Sequence, residues 1–168
     1  MKFQQYKQPI GECGIAFGAD DKIITAGHVI KEINAPKFRF GTTMFLTESY
    51  VFHQSDTELK DGSEIDLSMY KSGIKSPLKL HLSDIIPGTE VECHTWKRKG
   101  NEFEYSVVPG VIDEIYGNFF SCKMRDAILY EGNSGSPLLI DDNVIGVLHG
   151  GIDGTAICVF QKILPFMI

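Results

Sequence analysis

Turn residues, more than any apolar stretch, limit what this chain can become. Glycines and Asp/Asn pairs recur between short apolar runs, and no long segment holds a helical period. Residues 13–17, 22–25, 38–46, 50–53 and 65–70 read as strands of a first half. Residues 71–87, with Gly73, Pro77 and Pro87, read as a connection holding a brief alternation at 78–82. Residues 90–96, 102–108, 111–115, 119–123, 137–140, 144–149 and 156–160 read as a second set. Two runs of roughly six short strands predict an all-β protein built from two antiparallel six-stranded β-barrels. The expected organisation is a first barrel over 1–72, a connection over 73–87 and a second barrel over 88–168.

Composition removes several function classes. The chain has 168 residues, 43% of them hydrophobic, which is enough to bury a core. Its net charge of −6 argues against nucleic acid as a partner, because phosphate binding wants a basic surface. The one tight basic cluster, Lys97-Arg98-Lys99, precedes Gly100-Asn101 and reads as a solvated hairpin turn. No stretch approaches the ~18 apolar residues of a membrane span. The first residues lack the apolar core of a signal peptide, so a cytoplasmic location is expected. Cys13, Cys93, Cys122 and Cys158 are widely spaced and read as buried thiols in a reducing compartment. The spacing of Cys93, His94 and Cys122 does not support a zinc site; neither metal nor cofactor is expected.

Chemistry concentrates at Gly132-Asn133-Ser134-Gly135-Ser136-Pro137, where a serine sits between two glycines before an apolar run. A sharp turn that presents one hydroxyl beside backbone N–H donors suits acyl transfer; a plain turn between strands has the same composition. A serine hydroxyl needs a base, usually a histidine oriented by a carboxylate. His28, after Ala26-Gly27 at the end of an apolar run, and Asp66, between Ile65 and Leu67, are the candidates. Both precede Ser134 and lie in the first half, so a cleft between the barrels would assemble the three.

In these motifs the chain resembles the chymotrypsin-like serine proteases, whose triad runs in the order His, Asp, Ser. Thr25-Ala26-Gly27-His28 resembles the catalytic-histidine motif, with Gly27 where alanine is commoner. Glu64-Ile65-Asp66-Leu67-Ser68-Met69 resembles the stretch around the catalytic aspartate. Residues 132–137 resemble the nucleophile motif, and Gly146-Val147-Leu148-His149-Gly150-Gly151 the strand that pairs with substrate. Val159-Phe160-Gln161-Lys162-Ile163 and the tail after it resemble the closing strand and short C-terminal helix. The resemblance implies Ser134 as nucleophile, His28 as general base and acid, Asp66 as orienting carboxylate, and the N–H groups of Gly132 and Ser134 as oxyanion hole.

The departures also carry information. Val29 stands where secreted relatives have a cysteine bridging to a partner at the place of Cys13. Asn133 stands where they have the aspartate that pairs with a newly cleaved N-terminus. An enzyme needing no such activation is expected, similar to bacterial glutamyl-endopeptidase-like and viral chymotrypsin-like proteases. By resemblance Ile128, Leu129, Leu148, His149, Gly150, Gly151 and residues near Thr155 contact substrate. Leu148 and Leu129 stand where Glu/Gln-specific relatives have histidine and Ser/Thr, which implies an apolar first pocket. A bulge could instead swing His149 into that pocket and restore a Gln/Glu preference, and an inward-facing His149 could approach Asp66. The expected partner is a protein or peptide substrate, and a regulatory protein partner is left open. Two alternatives are a silent peptide-binding module on the same fold and an α/β-hydrolase-type esterase. The second needs Gly-x-Ser-x-Gly before a long helix, whereas this loop has Ser136-Pro137 and an apolar strand.

Overall fold

The computed structural model describes residues 6–12, 14–125, 132–152 and 154–168, with the backbone alone for Arg98 and Lys99. Short elements follow one another as the turn residues dictate. The first half contains β1 (Lys7–Pro9), β2 (Ile15–Ala19), β3 (Lys22–Thr25), helix α1 (Gly27–Ile33), β4 (Lys37–Phe40), β5 (Thr43–Leu46), β6 (Phe52–Ser55) and β7 (Asp66–Lys71). Asp20 and Asp21, both at positive φ, make the tight turn between β2 and β3. That is the backbone twist a two-residue hairpin needs. The sheet order is β1-β2-β3-β7-β6, all antiparallel, with β4 and β5 forming a separate hairpin. Among the described residues no ladder joins that hairpin to the sheet, so the first half is an open sheet plus a hairpin.

The second half contains β8 (Lys79–Leu80), β9 (Glu90–Lys99), β10 (Glu102–Tyr116), β11 (Phe119–Met124), β12 (Pro137–Ile140), β13 (Asn143–Gly151) and β14 (Ile157–Lys162). In β11, Phe120, Cys122 and Met124 are buried while Lys123 is exposed, the period of two that gives a strand one dry face. The order β12-β9-β10-β11-β14-β13 returns to β12 and closes a six-stranded barrel. The basic cluster lies at the β9–β10 hairpin as expected, with Lys99 opposite Glu102. The two strands expected over 102–108 and 111–115 are one long strand, β10, whose register on β11 shifts between Ile112 and Ile115. The C-terminal helix is a single 3₁₀ turn, Pro165–Met167.

Three apolar clusters hold this together. Val91, Val108, Phe120, Leu138, Ile145 and Phe160 fill the barrel, and Ile23, Val29, Phe38, Phe40 and Tyr70 fill the first half. The third cluster is shared: Phe17, Ile24, Leu67 and Met69 of the first half meet Leu78, Leu80, Leu139, Val144, Val147 and Met167 of the second. A buried polar tie adds to it, because Lys7 Nζ of β1 donates to Tyr105 Oη at 2.8 Å and lies 2.9 Å from His94 Nδ1. Leu139→Ala empties a position in the shared cluster and is expected to cost about 2–5 kcal/mol of unfolding free energy, read by urea denaturation.

Candidate active site

Asp66 opens β7 and is fully buried, where an unpaired carboxylate would be prohibitive. Its Oδ1 accepts the backbone N–H of His28 at 2.8 Å. Its Oδ2 lies 2.6 Å from His28 Nδ1 and 2.7 Å from His149 Nδ1. The backbone N–H of Asp66 donates to Oε1 of the fully buried Gln161 at 3.0 Å. An ionised carboxylate only accepts, so both imidazoles carry hydrogen on Nδ1. Burial opposes the charge on Asp66, but the hydrogen bonds from His149 and His28 outweigh it and hold the carboxyl below its ordinary value. Burial likewise opposes a charged His28, yet the bond to Asp66 and the charges of Asp66 and Glu32 prevail and raise it. The contribution of Asp66 to stability is therefore present above the ordinary carboxylate range and lost as pH falls through its lowered value. That of His28 is present below the ordinary imidazole range and lost as pH rises through its raised value.

Helix α1 brings His28 to this carboxylate. Ala26, at its N-cap, has no side chain with which to cap it. Asp66 Oδ1 takes that role from across the sheet by accepting the His28 N–H. Gly27 makes the approach possible, since a Cβ there would overlap the Gln54 carbonyl of β6 and come within 3.0 Å of Asp66 Oδ1. The helix ends at Asn34, which takes the left-handed conformation at φ 46°.

The Ser134 loop is wired to both halves. Ser134 O accepts the Ile15 N–H of β2 at 2.8 Å, and the Gly135 N–H donates to Leu148 O of β13 at 2.8 Å. Gly135, at φ +92°, fits so closely that a Cβ would overlap Ile15 O and Thr25 Oγ1. Asn133 is buried, and its Nδ2 donates to Thr95 Oγ1 at 2.8 Å and Trp96 O at 2.6 Å of β9. Among the described residues the N–H groups of Gly132 and Ser134 have no hydrogen-bond partner. Ser134 Oγ donates to the carbonyl oxygen of His149 at 3.3 Å rather than to His28.

A β-bulge in β13 decides where His149 goes. Leu148 pairs with Phe160 of β14, and Gly150 with Val159, so His149 is the extra residue. Its ring packs against Phe119 with centroids 5.2 Å apart and stands edge-on to His28 at 5.8 Å. The sequence placed Leu148 in the first pocket; it is instead buried in the barrel core. His149, also expected at the pocket, faces Asp66. Gly150 and Gly151 are partly open to solvent, and a Cβ on Gly150 would meet nothing. Ile128 and Leu129, like Cys13, lie outside the described residues. Cys93 faces the barrel core while His94 bonds Tyr105 on the other side of β9.

Among the described residues, His28, Asp66 and His149 form the one group whose donor atoms converge as a metal set would. Two ligands of one tetrahedral zinc stand roughly 3.3 Å apart for bonds of about 2.0 Å. The separations here, 2.6 and 2.7 Å, are those of hydrogen bonds. Gln161 is the site residue that the sequence reading missed, because a lone glutamine in an apolar run gives no signal of its own.

No protein-family model and no curated protein sequence matches the chain. Solved structures do. Kallikrein-related peptidase 10 is 20% identical, with 98% of this chain and 92% of that one covered and a TM-score of 0.72. The fold is that of the chymotrypsin-like serine proteases. Rv3671c of M. tuberculosis is 18% identical, covers 96% and 82%, and has a TM-score of 0.65. A scabies mite inactivated protease paralogue is 14% identical, covers 89% and 83%, and has a TM-score of 0.62. At Gly27 the Gln54 carbonyl fills the space a Cβ would need. Gly27→Ala is therefore expected to destabilise the fold by about 1–3 kcal/mol, measured by thermal or urea unfolding.

Proposed function

We propose that this protein is a serine endopeptidase that works through an acyl-enzyme intermediate, with His28, Asp66 and Ser134 as its triad. The observation that carries the proposal is the 2.6 Å bond between His28 Nδ1 and buried Asp66 Oδ2, on a chymotrypsin fold. That bond fixes hydrogen on Nδ1 and leaves Nε2 of neutral His28 as the base. Ser134 Oγ leaves the His149 carbonyl, attacks the substrate carbonyl and passes its proton to His28 Nε2. The tetrahedral oxyanion is received by the N–H groups of Gly132 and Ser134, which have no partner among the described residues. His28 then protonates the leaving amine, and water, deprotonated by the same nitrogen, releases the acyl group. Serine–histidine hydrogen bonds are often loose before substrate arrives.

The remaining assignments follow the same reading. Residues 1–72 and 88–168 serve as two barrels joined by 73–87, the first left open-sided. Extended peptide lies along Gly150 and Gly151, beside an apolar cavity of about 350 Å³ lined by Ile115, Tyr116, Phe119, Ile152 and Val159. An apolar first pocket is favoured over a Gln/Glu pocket, because the histidine that would read Gln or Glu is engaged by Asp66. Activation without a cleaved N-terminus is supported by Asn133, which β9 holds through Thr95 and Trp96. A reducing, cytoplasmic setting is supported by Cys122 and Cys158, which face each other across β11 and β14 as free thiols.

A second reading is a silent peptide-binding module. The turn of Ser134 Oγ toward His149 O favours it, as does the appearance of the fold in an inactivated paralogue. A fluorophosphonate probe separates the two: wild type is expected to label at Ser134, and no labelling sinks the protease reading. On a casein or peptide-library substrate, Ser134→Ala and His28→Ala are each expected to lower kcat by about 10⁴–10⁶-fold. Library cleavage concentrated after Glu or Gln would overturn the apolar pocket. The acid limb of kcat/KM is expected to rise with pH through the raised His28 value, with its midpoint above the ordinary ~6.5.

A further inference from the structure

Strand β1 reaches across to the second half and is held there by side chain and backbone together. Lys7 is buried; its Nζ donates to Tyr105 Oη at 2.8 Å and lies 2.9 Å from His94 Nδ1. Its carbonyl oxygen accepts the Trp96 Nε1–H of β9 at 2.6 Å, and the indole stands edge-on to the Tyr105 ring at 5.3 Å. Trp96 also reaches the Ser134 loop, because its own carbonyl oxygen accepts Asn133 Nδ2 at 2.6 Å. The chain that follows β1 meets the same loop. Glu12 O lies 2.9 Å from where a Cβ on Gly132 would stand, and the Ile15 N–H donates to Ser134 O at 2.8 Å. Gly132, Asn133 and Ser134 are thus each touched by the continuation of β1 or by the tryptophan that grips it. Nothing in acyl transfer itself calls for a buried lysine or an indole N–H at this place.

We propose that β1 braces the oxyanion loop, with Lys7 and Trp96 as positioning residues for the N–H groups of Gly132 and Ser134. This rests on reading Ser134 as the nucleophile and those two N–H groups as the oxyanion hole. Backbone donors have no rotamer of their own, so their aim is set by whatever fixes the loop. The Lys7 amine fastens β1 to β9 and β10, the Trp96 N–H grips the strand's carbonyl, and the Trp96 carbonyl passes the hold to Asn133. These contacts stand in series, so losing either the lysine side chain or the indole N–H loosens the same loop.

The test compares Trp96→Phe, which keeps an aromatic ring and removes the N–H, with Lys7→Ala and with the double variant. Each single variant is expected to lower kcat about 10–100-fold with KM little changed. A peptide aldehyde, whose C=O takes up the Ser134 Oγ–H so that its oxygen enters the hole, should bind more weakly by about the same factor. The double variant should lose no more than the worse single one, as contacts in series do. Trp96 is the only tryptophan in the chain, so its fluorescence is expected to move to longer wavelength in Lys7→Ala as β1 leaves the indole. In a Ser134→Ala background, where no turnover is needed, Trp96→Phe should quicken amide exchange at Gly135 and Ser136. The expected factor is roughly 2–10, the loss of one hydrogen bond, with the amides of β11 unmoved. Unchanged kcat in either single variant, once folded, overturns the proposal, and so do additive losses in the double variant. So does failure of both single variants to fold, since the contacts then serve stability alone. If Ser134→Ala leaves turnover intact, the triad reading fails instead, and exchange at Gly135 and Ser136 still decides whether β1 holds the loop.

Discussion

Asp66 brings a negative charge to a place without water, and the elements around it are arranged to make that tolerable. One oxygen closes the N-terminus of α1, the other takes an imidazole from each half, and the backbone N–H of the same residue is satisfied by β14 through Gln161. These contacts account for local features that otherwise look unrelated. A helix with no cap of its own forms after Ala26, a glycine sits where a methyl group has no room, and a glutamine is buried in an apolar strand. Each is a condition for partnering the carboxylate or the backbone N–H of this one residue.

The fold similarity and the site speak to different questions. At 20% identity and below, the resemblance to known proteases fixes how the strands are connected. It does not fix what the residues at the cleft do, and an inactivated paralogue with the same fold makes the point. What the cleft can do depends on the contacts of His28, Asp66, His149 and the Ser134 loop.

Much of this was legible in the sequence. Turn chemistry and alternation located most strands, and motif order singled out His28, Asp66 and Ser134. Helix α1 was not legible: Val29, Ile30 and Ile33 are β-branched in a seven-residue segment, a pattern that reads as strand. Its N-terminus is capped from across the sheet by Asp66, which no local signal announces. Of the two barrels expected, one is seen closed; among the described residues β4–β5 stands apart from the five-stranded sheet, and strand runs do not reveal which edges pair. His149 was visible as a one-residue offset from the expected histidine. Only the ladder with β14 tells where the extra residue at the 148–150 bulge points.

The shared dependence on Asp66 bears on how the chain reaches this state. A first half folded alone would hold the carboxylate with the donors of α1 but without the imidazole of β13. It would also leave the Asp66 N–H without the Gln161 acceptor of β14. The shared apolar cluster and the shared carboxylate make the two a single cooperative system, in which completing the fold and completing the site are the same event.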